Sequence, residues 1–247
     1  MAIDLEKLRE KHAELTRQGT GGGQDFLNNF IQLKEGTNLV RILPGKDDDT
    51  EFYAETKIHR VTSDDGQVRN FHCLKIHGEN CPLCDSYYGL WKTGSKDDES
   101  TARLIKPRSR YYMNTVDRDT GEVKILSVGI MLFQKIVGAM LDEDYGDITD
   151  VEAGTDLVLK YGKPAGASFP QTTITPRRRT SVLCDEALGG SERCAVLLDN
   201  IPDFDGLFTR KTPEEIQALL DEWLSGEEEG SEDVVKYDKK ASTTSVD

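Results

Sequence analysis

The sequence predicts a mainly β fold: a small barrel core with inserted helices and a metal-holding subdomain. Three observations lead there. Strand-like stretches recur between turn signals at 39–43, 52–58, 68–74, 110–116, 123–128, 154–161 and 169–175. Only short helical periods interrupt them, at 81–92 and 133–141. Three of the five cysteines crowd into Cys73, Cys81 and Cys84. Short strands joined by turns suit a barrel better than a doubly wound sheet, which alternates strands and long helices.

Residues 1–17 read as an amphipathic helix, with Ile3, Leu5, Leu8, His12 and Leu15 near helical spacing, and the glycines at 19 and 21–23 break it. Residues 1–23 therefore form an arm and hinge. Docking on a neighbouring subunit and packing on its own domain both remain open for that arm. The core runs over 24–212. Leu39 to Leu43 ends at Pro44-Gly45 and is followed by a strand from Phe52 to Ile58; Asp64-Asp65-Gly66 then turns the chain into 68–74. A helix follows at 81–92, a polar loop at 93–101, and a strand from Arg110 to Val116 that turns at Asp119-Thr120-Gly121 and returns as 123–128. Phe133, Ile136, Val137 and Met140 mark one face of the next helix. Strands at 154–161 and 169–175 complete the core, with the arginines at 177–179 in the loop beyond. Thr212, Pro213 and Glu215 stand where an N-cap, a first-turn proline and a capping box require them. From 213 on, a short helix gives way to a tail poor in apolar residues, which is expected to be disordered.

Net charge is −14 over 247 residues, which on its face disfavours a polyanion partner. The charge is uneven, however. Residues 214–247 carry −8, while 103–124 hold six basic and three acidic residues. A basic surface with an acidic tail elsewhere satisfies both counts. There is no apolar run of the roughly 18 residues a membrane span needs, and the charged N-terminus does not read as a signal peptide. The expected location is intracellular, where clustered cysteines indicate metal before disulfides.

Cys81-Pro82-Leu83-Cys84 is a C-x-x-C knuckle, whose tight turn points both sulfurs at one tetrahedral ion. Cys73 supplies a third thiolate. For the fourth ligand, His72 is disfavoured because its side chain opposes that of Cys73 on a strand. His59 lies one hairpin away and is preferred, with His77 second. The expectation is one structural zinc ion on His59, Cys73, Cys81 and Cys84, in a subdomain at about 59–92. Cys184 and Cys194 have no knuckle and read as ordinary buried cysteines. His77-Gly78-Glu79 before the knuckle superficially matches a deaminase pattern, but the proline follows the first cysteine and the two halves nearly touch. With no nucleophile triad or carboxylate pair to be found, no enzyme is expected.

Lys106, Arg108 and Arg110 run directly into Tyr111 and Tyr112, with Tyr88 and Trp91 just past the knuckle. Cations that track phosphates and rings that stack bases are the chemistry of single-strand binding. On a strand only one of the two tyrosines can face a groove while the other is core. Arg177, Arg178 and Arg179 make a second cationic cluster, and Arg41 is a further candidate.

In order, 38–44, His59, Cys73, His77-Gly78, the C-P-L-C knuckle, 104–114 and the helix at 134–140 resemble the single-stranded-DNA-binding proteins of T-even-like bacteriophages, over roughly residues 30–180. That resemblance implies an OB-type barrel core with a zinc subdomain, and sequence-tolerant coating of single strands in phage replication, recombination and repair, within the host cytoplasm. It places the zinc on His59, Cys73, Cys81 and Cys84. It implies self-association along DNA through the N-terminal arm, although Arg9, Lys11 and Arg17 are more dispersed here than the family's basic run. It further implies recruitment of replication and recombination proteins by the acidic tail. The alternative from another class is a zinc-containing adaptor module with no DNA groove.

Overall fold

A computed structural model describes residues 28–47, 49–62, 68–186, 189–204 and 211–225. The arm and hinge expected at 1–23, the turn at 64–66 and the tail beyond 225 lie outside them. Seven strands are described: β1 (Gly36–Ile42), β2 (Tyr53–Thr62), β3 (Val68–His72), β4 (Arg108–Asp117), β5 (Val123–Gly129), β6 (Thr155–Gly162) and β7 (Gln171–Thr180). Five helices accompany them: α1 (Pro82–Lys92), α2 (Lys96–Ile105), α3 (Ile130–Met140), α4 (Gly190–Asp199) and α5 (Pro213–Ser225). A 3-10 turn occupies Leu74–His77.

The fold is mainly β, as the sequence predicts. The strands run β3-β2-β4-β1-β6-β7, with β5 branching from β4. Among the described residues this path is open, and no ladder joins its ends into a ring. The pairings of β1 with β4 and β6, of β2 with β3, of β4 with β5 and of β6 with β7 are all antiparallel. The chain divides into two compact units. One contains Ile58–Pro107 and α5, the other Asn28–Lys57 and Arg108–Arg210.

In the second unit, β1 is buried on both faces at its end. Val40 and Ile42 join Met113, Leu126, Leu157, Leu159 and Ile136 in one core. Leu43 joins Val116, Leu183, Cys194 and Leu197 in another, which includes residues of α4. Each fully buried side chain of this kind contributes about 1.5–3 kcal/mol. The helix α3 buries Phe133, Ile136 and Ala139, spaced by one turn along its inner face.

Three local expectations are corrected. The stretch read as a polar loop at 93–101 is mostly helix α2. Asp97, Asp98 and Glu99 fill its first turn, where acidic groups favour the helix dipole, and Ala102 is fully buried. The arginines at 177–179 belong to β7 and do not lie in a loop beyond it. Cys184 and Cys194 are not separate buried thiols. They form a disulfide with Cα atoms 5.6 Å apart, because α4 folds back on the segment after β7. At the start of α5 the capping box is formed: Thr212 N–H donates to Glu215 (2.6 Å) and Glu215 N–H to Thr212 Oγ1 (3.2 Å).

Candidate metal centre and nucleic-acid surfaces

The β2–β3 hairpin pairs His59 with Phe71 and Ile58 with His72. Side chains alternate along a strand, so Cys73, two residues past Phe71, returns to the face of His59, and His72 is turned away. The 3-10 turn then reverses the chain toward Cys81. Gly78 closes it at φ 76°, a left-handed conformation that favours glycine. Cys81 stands at the N-cap position of α1, with Pro82 opening the helix and Cys84 in its first turn. The helix N-terminus favours thiolate charge at both sulfurs.

His59, Cys73, Cys81 and Cys84 are all buried, and their ligand atoms lie within 4.8 Å of one another. His59 Nε2 is 3.6 Å from Cys81 Sγ and 3.5 Å from Cys84 Sγ, and Cys73 Sγ is 3.4 Å from Cys84 Sγ. A tetrahedral ion with metal–sulfur bonds of about 2.3 Å sets its sulfurs about 3.8 Å apart, so the four side chains fit such an ion. The His59 ring is oriented from outside the cluster. Nδ1 lies 2.7 Å from the Ile105 carbonyl, the geometry of an Nδ1–H donor, which leaves the Nε2 lone pair for the cluster. That carbonyl ends α2, where helix acceptors lack intrahelical partners. This outer contact has no signal in the sequence, because the helix supplying it reads as a loop.

The thiols share their protons unequally. Hydrogen bonding from Cys73 first, and from His59 as well, lowers the Cys81 thiol to about 3. The same contact and then burial push Cys73 up, and burial pushes Cys84 up. A divalent cation held by His59, Cys73, Cys81 and Cys84 would relieve this by taking all three sulfurs as thiolates. Of the other two histidines weighed, His77 is exposed and outside the cluster. His72 also lies outside it and is depressed to about 4, first by burial and then by His77.

The nucleic-acid candidates divide between the units. Tyr88, Trp91 and Lys106 lie in the unit with the cluster; Arg41, Arg108, Arg110, Tyr111, Tyr112 and Arg177–Arg179 lie in the other. Tyr88 and Trp91 are 48% and 44% exposed. Lys75 sits over the Tyr88 ring at 5.1 Å and Arg103 over Trp91 at 5.8 Å. Tyr87 joins them, its ring 6.2 Å from Trp91. Lys75, Tyr87 and Arg103 do not stand out in the sequence, although the one-turn spacing of Tyr87 and Trp91 on α1 is a usable signal.

Lys106 and Arg108 are exposed and Arg110 is half-buried. Tyr111 and Tyr112 correct the expectation that one of them faces a groove, since their exposures are 7% and 6%. Tyr111 stacks on Phe133 at 3.9 Å and 3°, while Tyr112 meets Phe30 edge-on at 6.1 Å. Arg41 is likewise no groove residue. It is fully buried, with Nε 2.9 Å from Asp156 and further bonds to the Asp150 carbonyl and to the Ser181 carbonyl and hydroxyl. A residue of β1 points to this place because the segment from Asp150 to Ser181 covers the face that the sequence suggests is solvated.

The fold and the cluster define the class: an antiparallel β protein with a buried centre of one histidine and three cysteines, suited to a metal ion. The family described as gp32 DNA binding protein like matches residues 34–189, more than half of the chain, and the protein belongs to that family. The resemblance carried by the ordered motifs therefore holds, and DNA binding is the role it assigns. No curated protein matches the chain. No described helix is long and apolar enough to cross a membrane.

Proposed function

We propose that this protein binds single-stranded DNA with little regard to base sequence and coats it during phage replication, recombination and repair, without itself catalysing a reaction. Family membership supports the DNA. The structural observation that carries the single-strand reading is the exposed ring pair on α1: Tyr88 and Trp91, each with a cation over its face. Cations and stacking surfaces suit an extended strand whose bases are free, at about 1–3 kcal/mol per stacked base. Lys106, Arg108 and Arg110 add phosphate contacts.

The ion in this reading is zinc, since three thiolates and one imidazole match its ligand preferences. Its chemistry is structural, cross-linking the β2–β3 hairpin to α1, with all four ligand positions of a tetrahedral shell supplied by the chain. The open sheet corresponds to an OB-type barrel in this reading. The arm at 1–23 would mediate association along DNA, the tail from 226 would engage replication and recombination proteins, and the location is intracellular.

A competition gel tests the reading. Unlabelled single strands of oligo-dT, oligo-dA and mixed sequence should displace a labelled strand at similar concentrations, and duplex of equal length should not. Displacement by one duplex sequence alone would refute it.

A further inference from the structure

We infer that the bulged end of β7 is a phosphate-binding site, in which Arg178 and Arg179 take nucleic-acid phosphates while Asp156 holds Arg177 back. The inference rests on the single-strand reading above and names the side chains that meet the backbone.

The register shows how the site is built. Leu157 pairs with Pro176 and Thr155 with Thr180, so Asp156 alone on β6 stands opposite Arg177, Arg178 and Arg179. A regular ladder places one residue there. The two extra residues make a bulge, a device that re-aims side chains at the margin of a sheet. All three arginines are exposed.

The ground beneath the bulge is electropositive. Asp156 is buried and ion-paired to two guanidiniums, Arg41 at 2.9 Å and Arg118 at 2.8 Å. Both arginine side chains are buried as well, so one carboxylate serves two interior positive charges. The remaining hydrogen-bond partners of Arg41 are neutral carbonyl and hydroxyl oxygens. The carboxylate of Asp150 also acts on Arg41 but lies in solvent, where its field is screened. Burial and the neighbouring Arg118 hold the Arg41 guanidinium below its ordinary range, opposed chiefly by Asp156. An excess buried cation is unfavourable for the fold alone. An anion outside the bulge offsets it.

The three arginines are unequal. Arg177 reaches Asp156 at 3.9 Å while 54% exposed, a loose pair that draws its charge inward. Arg178 and Arg179 make no ion pair with a described residue. Guanidinium matches phosphate with two parallel donors, which suits these two to the strand backbone.

The test measures the affinity for labelled oligo-dT across a salt series, for wild type, Arg177→Ala, Arg178→Ala, Arg179→Ala, the Arg178/Arg179 double variant and a Lys163→Ala control. Each phosphate contact on a single strand contributes about 0.7 to the slope of log affinity against log salt. Arg178→Ala and Arg179→Ala should each reduce the slope by about that amount, Arg177→Ala by less, and Lys163→Ala not at all, with unchanged melting temperatures throughout. A double variant with the wild-type slope overturns the inference while leaving single-strand binding intact. Wild type that fails to bind oligo-dT at low salt overturns the single-strand reading, and this inference with it. Inorganic phosphate at matched ionic strength forms the second arm. If phosphate raises the melting temperature of wild type but not of the double variant, while the double variant keeps the wild-type slope for oligo-dT, the site belongs to free phosphate and the assignment to the strand is wrong.

Discussion

Replacing Arg41 with methionine keeps much of the side-chain volume and removes the guanidinium. In the structure that group donates Nε–H to Asp156 at 2.9 Å, one Nη to the Asp150 carbonyl at 3.2 Å, and the other Nη to the Ser181 carbonyl and hydroxyl at 2.8 and 2.7 Å. Breaking one partner of a buried ion pair costs about 3–5 kcal/mol. Three features lower that figure here. Asp156 retains Arg118, and the Asp150 carbonyl still accepts the Gly154 N–H. Removing the desolvated charge itself returns some stability. The net expectation is a loss of about 3 kcal/mol, toward the lower end of that range. Urea unfolding reads it directly, as a lower midpoint with an unchanged m-value. The salt slope of oligo-dT binding should stay at the wild-type value, because Arg41 meets no phosphate. A loss below about 1 kcal/mol would show that the guanidinium is not an anchor of the core. A reduced slope at full stability would make it a DNA contact after all.

Other perturbations have distinct signatures. Cys81→Ser should lower bound zinc, measured by atomic emission, together with the melting temperature, since structural metal binding is folding free energy; full stability without metal would contradict a structural centre. Trp91→Ala should weaken oligo-dT binding by about 1–3 kcal/mol, the cost of one lost stacking surface, with little change in melting temperature because the ring is exposed. Removing residues 226–247, which carry seven acidic and three basic residues, should tighten binding at low salt. The gain should disappear at high salt, where such charges are screened; unchanged low-salt affinity would remove the tail from the binding equilibrium.

The parts legible in sequence were those set by short-range geometry. The knuckle spacing and the two-residue alternation across one hairpin suffice to favour His59 over His72, and the capping box at Thr212 and Glu215 is local by nature. What was not legible depends on contacts distant in the chain. Arg41 reads as a solvent-facing strand cation, and its burial is decided by the segment from Asp150 to Ser181, more than a hundred residues on. Tyr111 and Tyr112 are neighbours on one strand, and simple alternation allows only one of them to be core. Phe133 covers one and Phe30 the other. The helix α2 is polar enough to pass for a loop: Ala102 is its one fully buried side chain, and Ile105 at its end packs partly buried against the core that holds the cysteines. The disulfide pairs cysteines ten residues apart with no spacing rule to announce them.

The most direct test of the account is an anisotropy titration of labelled oligo-dT and of a matched duplex at two salt concentrations. A single-strand coating protein binds the single strand tightly, with an affinity that falls steeply as salt rises, and binds the duplex weakly. Equal affinity for both, or single-strand binding indifferent to salt, would contradict that role.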